Sequence, residues 1–277
     1  MNTIIENKQL SENVFQITLE APMIAESRKP GQFILLQVHE DGERIPLTIA
    51  DVDIKAGTIT LIVQVAGKTT HLLSQLKSGE SIFYVVGPLG NPTHIDYFGR
   101  VICIGGGIGT APLYPIAKAL KEKGNYLITI LGARTKNLFI LEDKMKAVSD
   151  EFIICTDDGS YGQKGLVTQP LKELCEKTPK PDLVVAIGPA IMMKFCAETT
   201  RPFHIKTLVS LNTIMVDGTG MCGGCRVSVG GKAQFVCVDG PEFDGHLVDF
   251  QNMMQRLSAY KKQEELKYHE CKLKNIR

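Results

Sequence analysis

Neither charge dominates this sequence: 31 lysines and arginines face 30 aspartates and glutamates, a formal net charge of +1. Without a basic excess there is no electrostatic footing for DNA or RNA, so no nucleic-acid partner is expected. No block of lysine or arginine precedes an apolar run near the amino end, and no stretch of about 18 apolar residues occurs. Neither a signal peptide nor a membrane span is expected, and by elimination the expectation is a cytoplasmic protein. Internal repeats and low-complexity segments are also missing. What remains is ordinary globular composition, 44% apolar and 22% charged over 277 residues. That length buries a core without crosslinks and leaves room for two or three domains.

The eight cysteines matter more by position than by number. Cys103, Cys155, Cys175 and Cys196 lie in or beside apolar segments and read as buried, reduced, inert thiols. Cys271 lies in a polar tail and reads as exposed. Cys222, Cys225 and Cys237 are clustered, and a cluster in a cytoplasmic chain points to a metal rather than to disulfides.

The hydrophobic period divides the chain. Residues 1–97 read as antiparallel β, with Val14–Leu19, Phe33–Val38 and Thr58–Val65 as strands separated by Pro30-Gly31, Asp41-Gly42 and Ala56-Gly57. Six or so short strands make a small barrel, interrupted by one helix at His71–Leu76 with Thr69 or Thr70 as its cap. Residues 98–210 alternate strand and helix, which predicts a parallel sheet covered by helices. Residues 211–250 crowd glycines around the clustered cysteines, and residues 251–277 read as a charged helix or tail. The expected fold class is therefore a β-barrel plus α/β, followed by a small metal-binding part.

Asp217-Gly-Thr-Gly-Met-Cys222-Gly-Gly-Cys225 carries the strongest chemical signal. Glycine permits the tight path that points two sulfurs of a C-x2-C pair at one ion. Arg226–Val229, a Gly230-Gly231 turn and Ala233–Val236 form a hairpin that returns Cys237 beside Cys225. Asp217, five residues before Cys222 on the same loop, can serve as the fourth ligand. Spacing alone fits zinc as well as iron; the rest of the chain favours iron, because its other motifs are redox motifs.

Val101-Ile-Cys-Ile-Gly105-Gly106-Gly107-Ile108-Gly109-Thr110-Ala-Pro112 is a strand, a glycine turn and a helix start, suited to a pyrophosphate at a helix amino terminus. Two further turns, Thr156–Gly162 with Asp157 and Ile187–Pro189 with Gly188, follow sheet strands and belong on the same rim. Within the barrel, Arg44-Ile-Pro46-Leu47-Thr48 offers a guanidinium fork and a hydroxyl to a phosphate, and Gly67-Lys-Thr69-Thr70 opens a helix that makes another phosphate seat.

Together these motifs resemble the ferredoxin–NADP reductase superfamily over nearly the whole chain. They are most similar to its iron–sulfur members, the electron-transfer subunit of dihydroorotate dehydrogenase and the small subunit of NADH-dependent ferredoxin–NADP oxidoreductase. The resemblance implies an antiparallel flavin-binding barrel, a nicotinamide-binding parallel-sheet domain and a C-terminal [2Fe–2S] domain. It assigns FAD to Arg44, Pro46, Leu47, Thr48, Gly67, Thr69 and Thr70. It assigns NAD(H) to Gly106–Thr110, Asp157 and Gly188, and the cluster to Asp217, Cys222, Cys225 and Cys237. Dihydroorotate-type subunits use four cysteines, so aspartate at the first position tilts toward the second family. That family implies a heterodimer with a large subunit carrying a second flavin and [4Fe–4S] clusters, ferredoxin reached through that partner, and flavin-based electron bifurcation. Hydride passes to the flavin, the cofactors perform the chemistry, and no catalytic side chain is expected. The alternatives are a dihydroorotate dehydrogenase subunit and, more distantly, a non-enzymatic zinc-knuckle adaptor on a reductase fold.

Overall fold

The structure, a computed structural model, describes residues 2–274. The first unit is built from β1 (Asn2–Ser11), β2 (Val14–Glu20), α1 (Pro22–Ser27), β3 (Phe33–Gln37), β4 (Arg44–Asp53), β5 (Thr58–Gln64), α2 (Lys68–Gln75), β6 (Ser81–Ile82) and β7 (Tyr84–Leu89). Its strands form one antiparallel sheet in the order β6-β1-β2-β5-β4-β3-β7. The two edge strands, β6 and β7, are separated in sequence by Phe83 alone, so the chain itself joins the edges of a nearly closed barrel. β1 was not foreseen, because its residues are mostly polar and half or fully exposed; it is held by its ladder to β2. The helix expected from His71 starts three residues earlier, at Lys68, with Gly67 before it.

The second unit contains β8 (Arg100–Gly106), α3 (Thr110–Glu122), β9 (Tyr126–Ala133), α4 (Glu142–Ala147), β10 (Glu151–Thr156), β11 (Gln163–Lys164), α5 (Thr168–Glu176), β12 (Leu183–Ile187), α6 (Ala190–Thr200) and β13 (Lys206–Ser210). The third contains β14 (Arg226–Val229), β15 (Lys232–Phe235), α7 (Val236–Asp239), β16 (Glu242–Asp244), α8 (Phe250–Leu257) and α9 (Lys261–Lys274). The second sheet runs β11-β10-β9-β8-β12-β13-β16, parallel except for β16. β8 thus lies between β9 and β12, and the order reverses there, which opens a crevice at the carboxyl ends of the strands. β16 comes from the glycine-rich third unit yet completes the sheet of the second, a three-residue strand too short to announce itself by pattern.

β3 is buried at all five positions. Alternation sends Ile34 and Leu36 into the barrel core with Ile17, Leu19 and Leu61. It sends Phe33 and Leu35 into a second core with Ile102, Val184, Cys225 and Cys237. One strand therefore serves the barrel on one face and both other units on the other. Cys103, Cys155, Cys175 and Cys196 are buried as expected. Burial pushes the Cys103 and Cys196 thiols up to about 12 and those of Cys155 and Cys175 up to about 11, far from a reactive thiolate. Cys271, expected to be exposed, is buried on α9. Among the described residues no helix is long and apolar enough to cross a membrane.

The three units meet around Glu242 of β16. Its carboxyl accepts a 2.5 Å hydrogen bond from the Thr93 hydroxyl, beside Gly31 of the barrel, while its backbone pairs with Ser210 of β13. Burial pushes this carboxyl up to about 7, against the opposing effect of the Thr93 bond. A carboxyl raised above its unfolded value stabilises the fold while protonated, and that contribution is lost as pH rises through about 7. Glu242→Gln is expected to remove this loss, worth up to about 3 kcal/mol. Thermal midpoints recorded from pH 5 to 8 should fall more steeply for the native chain than for the variant, and parallel curves would refute the assignment.

Candidate functional site

The loops of the second sheet and the outer face of the barrel meet along β4. Arg44 opens that strand, with its guanidinium over the Tyr84 ring at 5.0 Å and its Nε donating to Gln37 Oε1 at 3.4 Å. Pro46, Leu47 and Thr48 follow, half-buried, opposite Leu35, Ile34 and Phe33 of β3. α2 lies alongside. The Thr69 hydroxyl donates to Glu43 Oε2 at 3.1 Å, which ties α2 to the residue preceding Arg44. Thr70 Oγ1 accepts the amides of Ala66 and Gly67 at 3.0 and 3.1 Å, so Thr70 rather than Thr69 ties down the start of the helix. The first helical bond is from the His71 amide to the Gly67 carbonyl, leaving the amides of Lys68, Thr69 and Thr70 without helical acceptors. A Cβ built on Gly67 would meet nothing within 4 Å. The arginine fork follows directly on the residue that ties down α2, and open space lies at Gly67 before that helix's free amides; both are donors of the kind a flavin diphosphate takes.

The glycine turn after β8 forms a 3-10 turn, Gly107–Gly109, leading into α3. Gly107 has φ +53 and open space around its missing Cβ. Gly109 is the opposite case, since a Cβ there would strike the Ile187 carbonyl oxygen and approach Gly188 Cα to 2.7 Å. The turns carrying Gly106, Gly109 and Gly188 therefore cross backbone on backbone, and Thr110 is buried behind them. Ile108 and Ala111 pack on Val14, Ala50 and Ile62, which brings the start of α3 onto the barrel beside β4. Asp157 is exposed on the third turn, its amide donating to the Ala133 carbonyl at 3.1 Å. Beside it the Ser160 hydroxyl and amide hold the Asp158 carboxyl below its usual range. Sequence reasoning missed Met192, whose thioether lies over both Gly106 and Gly188. No local pattern marks it, because its position follows from how α6 leaves β12.

In the third unit the β14–β15 hairpin returns Cys237 to Cys225 as expected, and their sulfurs stand 3.2 Å apart, both buried. Burial, then the neighbouring Cys225 thiol, pushes Cys237 up. The other two sequence candidates are on the rim. Cys222 is exposed, and its sulfur accepts the Gly224 amide at 3.4 Å. Asp217 accepts the Thr219 amide at 2.8 Å and the Cys222 amide at 2.6 Å, which hold its carboxyl below the usual range. Each of these oxygens keeps a second lone pair. Among the described residues no set of three or more histidine, cysteine, aspartate or glutamate side chains is gathered as a metal cage. The structure thus joins two of the four candidates and leaves Cys222 and Asp217 on the same short loop beside them. Three thiols and one carboxylate are a donor set suited to an iron–sulfur cluster. The loop also touches the barrel: a Cβ on Gly218 would meet Leu35 Cδ1 at 2.7 Å and Leu89 Cδ1 at 2.8 Å. Leu35 is the register partner of Pro46, and register partners share a face, so the cysteine loop and the arginine strand occupy one side of the barrel.

Two stretches of the chain match known families. Residues 2–94 match the oxidoreductase FAD-binding domain, and residues 212–249 match the iron–sulfur cluster binding domain of dihydroorotate dehydrogenase B. A Thermotoga maritima protein, described as a homologue of the dihydroorotate dehydrogenase B (NAD(+)) electron transfer subunit, is 50% identical over 268 residues, covering 97% of this chain and 94% of the relative. The electron transfer subunit from Geobacillus thermodenitrificans is 34% identical, over 87% and 95% of the two chains. A solved chain from work on flavin-based electron bifurcation in the NADH-dependent reduced ferredoxin–NADP oxidoreductase superposes with a TM-score of 0.92 at 49% identity, covering 98% of this chain and 97% of that one. The cytochrome b5 reductase domain of Ulva prolifera nitrate reductase, at 18% identity and a TM-score of 0.60, shares the fold alone.

The two glycine environments give opposite expectations. Gly107→Ala should cost only the left-handed backbone strain, about 1 kcal/mol, while its methyl intrudes on the open space and weakens NADH binding by roughly tenfold. Gly109→Ala should separate the two crossing turns and lower the thermal midpoint by several degrees. Midpoints and NADH titrations on both variants test the pair, and equal midpoints would show that the crossing is not needed for stability.

Proposed function

The chain belongs to the family of dihydroorotate dehydrogenase B electron transfer subunits and their homologues, and from that premise we propose that it passes electrons between NAD(H) and a larger partner subunit by way of FAD and a [2Fe–2S] cluster. The observation that carries the reading is the contact of the Gly218 loop with Leu35, the strand partner of Pro46. It sets the cysteine loop and the flavin strand on one barrel face, as a short electron path requires. When bound, FAD exchanges a two-electron hydride for single electrons, and the cluster carries electrons one at a time.

The chain's own residues bind and orient. Arg44 and the free amides of Lys68, Thr69 and Thr70 would hold the flavin diphosphate, with Pro46 and Thr48 on the same face of β4 as Arg44 and Leu47 offering its backbone while its side chain packs on the barrel core. Gly106–Thr110 and Gly188 let the nicotinamide nucleotide approach the backbone, and Asp157, exposed on a turn of the same rim, offers a carboxylate to accept from a nucleotide hydroxyl. Cys222, Cys225, Cys237 and Asp217 hold the cluster. No side chain is needed as nucleophile or general base. Aspartate in place of a fourth cysteine, together with the 49% identical solved chain, favours a heteromeric, bifurcating NADH-dependent ferredoxin–NADP oxidoreductase over a dihydroorotate dehydrogenase. In that assembly the partner is a large subunit bearing a second flavin and [4Fe–4S] clusters, and ferredoxin reacts there.

Anaerobic addition of NADH to the purified protein should bleach overlapping flavin and iron–sulfur absorbance, in a sample with roughly one flavin and about two irons per chain. A colourless protein that holds zinc, and takes up no flavin on reconstitution, would overturn the proposal. Asp217→Cys should keep iron and shift the cluster's midpoint potential; an unmoved potential would remove Asp217 from the ligand set.

A further inference from the structure

The cysteine loop receives one long-range side-chain contact that neither the motifs nor the ligand set account for. Arg256, in the last turn of α8, donates from Nη2 to the Gly224 carbonyl oxygen at 3.2 Å. Gly224 stands between Cys222 and Cys225, and its own amide donates to the Cys222 sulfur at 3.4 Å. Its carbonyl belongs to the peptide that carries the Cys225 amide. The bond therefore sets the guanidinium against the backbone that leads from one cysteine to the other, and a charge so placed acts on a cluster held there.

α8 is fixed in place by Phe250 and Met253, both buried in the core that also contains Cys225 and Cys237. Asp249 caps the helix by accepting the Asn252 amide at 3.0 Å. The arginine is therefore carried by a rigid element. A cleft of about 240 Å³ separates α8 from the loop, lined by Thr213, Val216, Gly224, Arg226, Arg256 and Tyr260. Arg226 is the other cation on its wall, and among the described residues no carboxylate forms an ion pair with either arginine. Arg256 thus brings an uncompensated positive charge to the backbone between two cysteines.

We propose that Arg256 is a positioning residue that tunes the cluster: held at the Gly224 carbonyl, its charge favours the reduced state of the cluster bound by the loop. The inference rests on the iron–sulfur reading of the loop. Three cysteinates and one carboxylate leave an oxidised [2Fe–2S] site negatively charged, and reduction adds a further negative charge. A fixed cation one peptide away offsets that addition, whereas it has less to offset in the oxidised state.

The test is an anaerobic redox titration of the full chain, followed by the electron paramagnetic resonance of the reduced cluster, with iron counted in each sample. Arg256→Gln keeps a donor and removes the charge. At the native chain's midpoint potential, its reduced-to-oxidised ratio should fall by several-fold up to tenfold, the latter about 59 mV for one electron. Arg256→Lys should recover most of the shift. Lys232→Gln, which removes a charge of the same sign at the far end of the β14–β15 hairpin, should leave the titration unchanged. A native-like titration of an iron-replete Arg256→Gln would overturn the assignment. So would loss of iron from Arg256→Gln with retention in Arg256→Lys, which would make the contact a structural clamp. Absence of iron from the native chain would instead remove the iron–sulfur reading itself.

Discussion

Burial of β3 on both faces is the constraint from which the arrangement of the sites follows. A strand in a small barrel ordinarily shows one face to the core and the other to water. Here all five residues are buried. Ile34 and Leu36 complete the barrel, and Phe33 and Leu35 are removed from water by the cysteine-bearing unit and the parallel sheet together with Val86 and Leu89 of β7. Full burial of one such side chain is worth about 1.5–3 kcal/mol. Separating the units would expose both. The docking is thus enforced by the same residues that shape the barrel, and β4, laddered to β3, inherits a fixed distance from the cysteine loop.

The nicotinamide side is fixed by a different means. There the contact is backbone on backbone, at Gly106, Gly109 and Gly188, and hydrophobic area contributes little at the crossing itself. Packing of Ile108 and Ala111 on Val14, Ala50 and Ile62 then sets the second unit on the barrel. Both attachments reach β4: Phe33 and Leu35 pair with Thr48 and Pro46, and α3 packs on Ala50 farther along the same strand.

Much of this was legible in the residues. Phe33–Val38 reads as a strand because it is a continuous apolar run, and the run is continuous for the reason just given. The period change near residue 100, the three glycine turns and the hairpin that returns Cys237 were all visible, because each depends on local spacing. What was not legible depends on partners distant in sequence. β1 is polar and forms through its neighbour β2. β16 has three residues and is recruited by β13. Cys271 looks exposed in a charged tail, yet α9 lays it inward. Arg256 carries no motif at all, and its relation to Gly224 exists only once α8 is packed. Asp217 is singled out by its distance from Cys222, but its two backbone hydrogen bonds, which shape the loop as well as orient the carboxylate, needed coordinates.

α9 packs against α2, with Tyr268 edge-on to His71 at a centroid distance of 5.6 Å. The three units follow one another linearly along the chain, but this contact brings the last helix of the third back onto the first. In space the order is a ring. Each unit is therefore restrained by its two neighbours, and a hinge at any single linker is opposed by a contact made elsewhere in the circuit. The geometry between flavin strand, nucleotide turn and cysteine loop then behaves as that of a triangular truss, in which no one angle opens unless another joint gives way.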